Sequence, residues 1–341
     1  MQVMVAMSGG VDSSVAAALL AEAGHDVTGV TLRLWGGVSD SGCCSVGDVE
    51  DARRVAAQLG VPHYVFDEAD EFTARVVDPY VRAYDAGATP NPCVACNREM
   101  KFGRLLDRAR LLGFDALATG HHARVRRGDD GVVRLLRAVD PGKDQSYVLV
   151  GLTQRELGDL RFPVGELTKA EVRARATAIG LRTADKPESM DVCFVARRDR
   201  VGFVEARMGA RPGAVVDVAG REVGRHDGIA RFTVGQRRGL GVAVGERQYV
   251  VDVDARSHVV TVGPPEALLR REIALDDVGF THDRPAPDRL LGVQVRAHGS
   301  VTPAFLDGDV VRCLEPVARV APGQVVALYD GPELVGGGFA R

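Results

Sequence analysis

Six cysteines, one glycine–serine turn and four scattered lysines are the residues whose type and spacing could do chemistry in this 341-residue chain. The turn, Ala6-Met7-Ser8-Gly9-Gly10-Val11-Asp12-Ser13-Ser14, follows the apolar run Val3 to Ala6. It opens a segment in which Val11, Val15 and Leu19 share one helical face up to Gly24. A strand, a glycine turn and a helix N-terminus together make an anion cradle. The glycine pair lets the backbone approach closely, Ser8, Ser13 and Ser14 add hydroxyls, and the first helical N–H groups and the dipole favour negative charge. The turn has no lysine, so it is not the Walker phosphate loop. On these residues alone, a plain glycine–serine turn before a helix stays open.

The thiols suggest nucleophilic sulfur. Cys93 and Cys96 lie in Asn91-Pro92-Cys93-Val94-Ala95-Cys96-Asn97-Arg98, a loop expected to enter a helix capped by Asn97. A thiol at a helix start near Arg98 and Lys101 would have a lowered pKa. Cys193 sits in the polar stretch Lys186-Pro187-Glu188-Ser189-Met190-Asp191-Val192-Cys193-Phe194. One Cys-x-x-Cys is compatible with a redox pair, half a zinc site or part of an iron–sulfur site, and the chain has no second one to complete a zinc ribbon. Cys43 and Cys44 are adjacent, poor spacing for two ligands of one metal, and read as inert or as loop thiols near the nucleotide site; Cys313 reads as core. Of 43 basic residues only Lys101, Lys143, Lys169 and Lys186 are lysine, which fits base composition and also fits sites that need a compact ammonium.

Elements able to position these groups alternate up to about residue 180. Strands are expected at Val3 to Ala6, Val27 to Leu34, Val61 to Phe66 and Ala116 to Thr119. Helices are expected at Val11 onward, Asp48 to Leu59, Asn97 to Leu112 and from a Thr168/Glu171 capping box to Ile179. This is the pattern of an α/β fold, a parallel sheet with helices on both faces. Beyond about residue 200, short alternating runs at Val215 to Val218, Tyr249 to Val253, Val259 to Val262, Val293 to Ala297 and Val325 to Tyr329 indicate β structure, broken at Gly263-Pro264-Pro265 and at the loop Arg284-Pro285-Ala286-Pro287. Arg296 and His298 are expected on the polar face of one such strand. The glycine run from Gly239 to Gly245 has the wrong spacing for a dinucleotide fingerprint and reads as a loop. A net charge of −3 gives no global case for nucleic acid, so RNA contact would need local patches such as Arg197-Arg198-Asp199-Arg200. No apolar run reaches membrane length, which with the reduced cysteines expected there points to the cytoplasm and to no membrane partner.

The turn Ser8 to Ser13 resembles the signature of the PP-loop ATP pyrophosphatases. Joined to Asn91-Pro92 with Cys96-Asn97, Lys101-Phe102, Ala118-Thr119-Gly120-His121, Gly142-Lys143-Asp144-Gln145-Ser146-Tyr147, Cys193-Phe194 and Thr233-Val234-Gly235-Gln236-Arg237-Arg238-Gly239, it is similar, over essentially the whole chain, to the bacterial tRNA-specific 2-thiouridylases. The resemblance implies three parts: a PP-loop catalytic domain over residues 1–200, a β-rich adapter over 201–265 and a C-terminal tRNA-binding β-barrel over 266–341. It also implies adenylation of the O2 of the wobble uridine by ATP, with AMP and pyrophosphate released, and replacement of that oxygen by sulfur. Cys193 would carry the persulfide. Cys96 would be the partner nucleophile that frees the sulfur or displaces it and leaves a disulfide.

By the same resemblance Ala6, Met7, Ser8, Gly9, Gly10, Val11, Asp12, Ser13, Leu32 and Gly120 would bind ATP, with Asp12 a candidate ligand of Mg²⁺. Asn91, Pro92 and Cys93 would meet the target base, and His121, Lys143, Asp144, Gln145, Arg296 and Gln324 would contact the tRNA anticodon arm. A sulfur-donor protein, a cysteine desulfurase or a sulfur relay, is implied as a partner. Two positions depart from the family. Cys93 stands where aspartate is common, which opens a variant in which Cys93, Cys96 and Cys193 ligate a [4Fe–4S] cluster, and Ala297 stands where an aromatic residue is usual. Two rival readings keep the nucleotide and change the rest: a PP-loop amidating or ligating enzyme related to argininosuccinate or GMP synthetase, needing neither Cys96 nor Cys193, and a non-catalytic nucleotide-binding protein like the universal stress proteins.

Overall fold

The computed structural model describes residues 1–35, 45–187, 192–195, 199–242 and 246–341. Its first sheet has the order β3 (His63–Asp67), β2 (Asp26–Arg33), β1 (Gln2–Ala6), β4 (Ala116–Thr119) and β7 (Leu160–Arg161), all parallel. Chain order runs outward from β1 on one side and is taken up by β4 on the other. The carboxyl ends of β1 and β4 therefore flank the crevice where open α/β sheets receive ligands.

Helices cover both faces. Helix α1 (Val11–Glu22), α2 (Val46–Leu59) and the helix Lys169–Ala178 bury Val15, Ala16, Val55 and Val172 against one side of the sheet. On the other side Phe102, Leu105 and Leu106 pack with Met4, Val30 and Leu117. Each such fully buried side chain contributes roughly 1.5–3 kcal/mol. The expected capping box of Thr168 with Glu171 forms, and a second, unexpected one of Ser45 with Asp48 starts α2 two residues before the expected Asp48.

The second unit is a mixed sheet ordered β10 (Tyr249–Asp254), β11 (Val259–Gly263), β8 (Gly213–Asp217) and β9 (Glu222–His226). The third is a six-stranded antiparallel barrel, β12 (Leu269–Phe280), β15 (Val310–Ala318), β14 (Thr302–Asp307), β13 (Leu291–Gln294), β16 (Val325–Asp330) and β17 (Glu333–Ala340), closed by pairing of β12 with β17. Among the described residues no helix is long and apolar enough to cross a membrane.

Four features differ from the expectations. The helix bearing the cysteines begins at Pro92, not Asn97. Asn91 caps it by accepting the Cys93 N–H at 3.0 Å, and Asn97 is a buried interior residue of the π-helical turns Cys96–Leu105. Proline at N1 after an Asx cap is the stronger start signal, and it won. Strand β13 stops at Gln294 rather than Ala297, because the Gln294 side chain donates to the carbonyls of Arg296 (2.8 Å) and Ala297 (2.9 Å) and folds that stretch into a turn, so Arg296 and His298 do not share a strand face. The helical run Ala69–Asp85 lacked a clear pattern and was not expected. Neither was the hairpin β5 (Ala123–Arg127) and β6 (Val133–Arg137), which leaves the first unit and pairs with β17, so Val325, Tyr329 and Leu334 of the barrel share one core with Phe102 and Leu135.

Candidate active site

The phosphate turn sits where β1 meets α1, and close approach shapes it. Gly9 has φ +71°, and a Cβ there would stand 2.2 Å from the carbonyl oxygen of Asp48. At the end of β4, a Cβ on Gly120 would stand 2.5 Å from the Ser13 nitrogen, so only glycine lets that strand end lie on the first turn of α1. Within the turn the Ser13 hydroxyl accepts the Ser8 N–H at 3.1 Å, and the Ser13 and Ser14 hydroxyls donate back to the Gly10 carbonyl.

This turn forms one wall of a cavity of about 330 Å³. Ala6 to Ser8, Gly10 to Ser13, Leu32 and Gly120 line it, and so do Pro92, Cys93, Cys96 and Cys193. The cysteine segments, 97 residues apart at Cys96 and Cys193, thus reach the same space as the nucleotide cradle. Cys96 is 8% exposed and belongs to an aromatic-rich cluster with Phe72, Tyr80, Met100 and Phe194, against which Cys193 packs. Phe194 anchors its neighbour Cys193: its ring stands edge-on to Phe72 (5.5 Å) and Tyr80 (5.6 Å). Cys93, Cys96, Cys193 and Cys313 are thiols, with no disulfide between them, and Cys313 is core as expected. Cys43 and Cys44 lie outside the described residues, as do 188–191, 197, 198 and 243–245 of the motifs above.

All four lysines gather here. Lys169 places its ammonium 2.7 Å from both carboxylate oxygens of Asp12, and His122 Nε2 lies 3.0 Å from Oδ1 of the same group. Burial works to raise the Asp12 pKa, but the hydrogen bonds from His122 and Lys169 outweigh it and hold the carboxyl below its usual value. Lys186 donates to the Gly9 carbonyl (2.9 Å), Asp48 (2.7 Å) and Asp51 (2.6 Å), tying the phosphate turn to the start of α2 and to the chain that leads to Cys193. Burial opposes its charge, and the two carboxylates raise its pKa in spite of that. Lys101 bonds Asn97 Oδ1 at 2.9 Å, and Lys143 lines the cavity. The lysine count hinted at this convergence. No local signal could have found the partners, which lie up to 177 residues away.

Both Asp12 oxygens hold the Lys169 ammonium, and among the described residues no three of His, Cys, Asp and Glu converge as metal ligands. The donor chemistry is instead that of an anion cradle facing thiols.

Comparison with known proteins decides the family. The "tRNA methyl transferase HUP domain" model matches residues 1–197, its PRC-barrel companion residues 201–264 and the "Aminomethyltransferase beta-barrel domain" model residues 270–340. Among curated relatives, the tRNA-specific 2-thiouridylase MnmA of Chloroflexus aurantiacus is 50% identical over 349 residues, covering 99% of this chain and 97% of its own. Those of Frankia casuarinae (48%, 100% of this chain and 99% of its own) and Geobacter metallireducens (47%, 99% and 96%) are comparable. The chain belongs to the tRNA-specific 2-thiouridylase family.

The residues that the thiouridylase resemblance gives to tRNA separate into three groups. His121, Lys143 and Gln145 stand at the cavity. His121 is buried, bonded to Thr119 Oγ1 at 2.7 Å and packed against the rings of Phe102 and Phe162. Burial, then the charge of Lys101, takes its pKa well below the usual value, so the ring is neutral and offers no charge to a phosphate. Asp144 is 6% exposed and faces inward, accepting from Arg137 (2.8 Å), from Ser146 Oγ (2.9 Å) and from the Ala138 N–H (3.0 Å). Ser146 bonds the Tyr329 hydroxyl (3.0 Å), Tyr147 bonds the Val325 carbonyl (2.8 Å) and Arg137 stacks on Tyr329 at 3.5 Å. The Asp144-Gln145-Ser146-Tyr147 run therefore fastens the first unit to the barrel. Arg296 is exposed in its turn outside the cavity, and Gln324 and Asn91 are likewise not among its lining residues.

Proposed function

We propose that this thiouridylase family member thiolates the wobble uridine of cytoplasmic tRNA, and that both half-reactions occur in the one cavity. What carries the reading is the convergence of the phosphate turn, Cys96 and Cys193 on the same space. ATP lies with its phosphates on the turn from Ser8 to Ser13 and its adenosine toward Leu32 and Gly120. The uridine, flipped out of the anticodon loop beside Asn91, Pro92 and Cys93, attacks the α-phosphorus through O2 and expels pyrophosphate. Lys169, held on Asp12, supplies positive charge on that side of the pocket. Asp12 is the residue that would hold Mg²⁺ accompanying ATP, an ion that would screen the phosphate charges, and without it Asp12 holds Lys169.

Sulfur then arrives as a persulfide on Cys193, loaded by a donor protein that transfers sulfane sulfur. The terminal sulfur attacks C2 and AMP leaves with the original oxygen. The Cys96 thiolate next attacks the Cys193 sulfur, breaking the S–S bond to leave 2-thiouridine and a Cys96–Cys193 disulfide, which a cellular dithiol reduces before the next turnover. The aromatic anchor at Phe194 and the burial of Cys96 keep water from the adenylate.

The test is to incubate enzyme, ATP, Mg²⁺, a persulfidated donor and unmodified tRNA, following AMP, pyrophosphate and thiouridine. Cys96→Ser and Cys193→Ser should each abolish thiouridine while tRNA affinity stays within about twofold of wild type. Undiminished thiolation in either variant overturns the reading. The [4Fe–4S] variant has three thiols lining one cavity in its favour. Anaerobically purified active enzyme carrying stoichiometric iron and sulfide would establish it, and active iron-free enzyme would exclude it.

A further inference from the structure

Gln324 is assigned to tRNA only through the resemblance, yet its side-chain amide points into the protein. Its Nε2 donates to the backbone carbonyl of Thr89, and the Thr89 N–H donates to the Pro322 carbonyl at 2.8 Å. Both main-chain polar groups of this one buried residue are thus taken by a turn of the barrel. The turn is itself firmly held: the Gly323 N–H donates to the Ala340 carbonyl and the Ala340 N–H to the Gln324 carbonyl, each at 2.8 Å. Gly323, at φ +81°, lies so close to the segment that a Cβ would stand 3.3 Å from Ala88 and 3.5 Å from the Pro90 nitrogen.

The segment held in this way is Thr89-Pro90-Asn91-Pro92, which leads directly into the helix of Cys93 and Cys96. Two prolines fix two φ angles, and the residue before each proline is confined to extended backbone, so the four residues act as a stiff strut. Asn91 then locks the strut to the helix through the Cys93 N–H. A restraint applied at Thr89 is therefore delivered to the cysteines rather than absorbed by an intervening flexible loop.

We propose that Gln324 is a positioning residue: from the barrel it sets the cysteine-bearing helix in place for sulfur transfer. The inference rests on Cys96 as the partner nucleophile. It gives the barrel a second task, since an RNA seated on it would bear on the same turn that holds Thr89.

The experiment compares Gln324→Ala and the near-isosteric Gln324→Glu, which cannot donate to the Thr89 carbonyl when ionised. Three quantities are read on the full-length enzyme: tRNA affinity, single-turnover thiolation at saturating tRNA, and the site-resolved rate at which iodoacetamide alkylates Cys96, followed by mass spectrometry without tRNA. We expect tRNA affinity of Gln324→Ala within about twofold of wild type, thiolation slowed about tenfold or more, and Cys96 alkylated several-fold faster in both variants. Weakened tRNA affinity with the saturating rate and the alkylation rate intact makes Gln324 an RNA contact and overturns the proposal, as does no change in any of the three. A Cys96→Ser control keeps the two ideas apart. Full thiolation by that variant defeats the role of Cys96, whereas an unaltered alkylation rate in the Gln324 variants defeats the strut.

Discussion

Replacing Lys169 by methionine removes the ammonium from Asp12 while keeping a side chain of similar length. Lys169 is 12% exposed and Asp12 29%, so the pair lies between a surface ion pair, worth up to about 1 kcal/mol, and a buried one, whose disruption costs about 3–5 kcal/mol. We expect a loss of about 2 kcal/mol, seen as a fall in melting temperature of about 4–8 °C for a domain of this size. Catalysis should suffer more. With the ammonium gone, the Asp12 carboxylate stands at the phosphate turn opposed only by His122. At roughly 6 Å and an effective dielectric of 20, it would oppose each phosphate charge by about 3 kcal/mol, which is about a hundredfold in rate. The assay is tRNA-dependent AMP formation before sulfur transfer, using Cys193→Ser as background to isolate adenylation.

The pH dependence of Lys169→Met has a definite sign. In the wild type the Asp12 pKa is depressed, so its contribution to stability is complete above the ordinary carboxylate value and is lost as the pH falls through the folded value. In the variant, burial acts with one fewer opposing donor, and the Asp12 pKa rises. A protonated Asp12 does not need the lysine, so the stability gap between the two proteins should narrow as the pH falls below about 4. A variant that forms AMP within about threefold of wild type, or whose gap widens in acid, would refute the reasoning.

Asp144→Asn should lower the melting temperature by about 6–10 °C, because an amide cannot accept from all the donors around the inward-facing carboxylate, a loss of about 3 kcal/mol. A weakened tRNA affinity with unchanged melting would show instead that Asp144 meets RNA. Lys186→Met leaves Asp48 and Asp51 uncompensated beside the phosphate turn. The KM for ATP should rise about five- to tenfold, and more at low salt than at high. An unchanged KM at low ionic strength would show that the lysine serves packing alone.

The local code of this chain was explicit wherever a few consecutive residues determine their own geometry. The strand, glycine turn and helix at Val3 to Gly24, the Thr168/Glu171 capping box and the switch to β structure after residue 200 were all legible, because periodicity and backbone preferences act over a turn or two. At the cysteine helix two caps compete in the sequence, and Asn91-Pro92 outcompetes Asn97 as the helix start because proline favours the first helical position. What tertiary structure alone decided is pairing across long separations. It joined Ser146 to Tyr329, drew the β5–β6 hairpin onto the barrel, set Lys169 on Asp12, and applied Gln324 to Thr89, 235 residues away. Each of those partners is an ordinary polar or charged residue whose local context is equally compatible with solvent. Only burial, which makes an unpaired polar group costly, selects the single partner that the fold brings within reach.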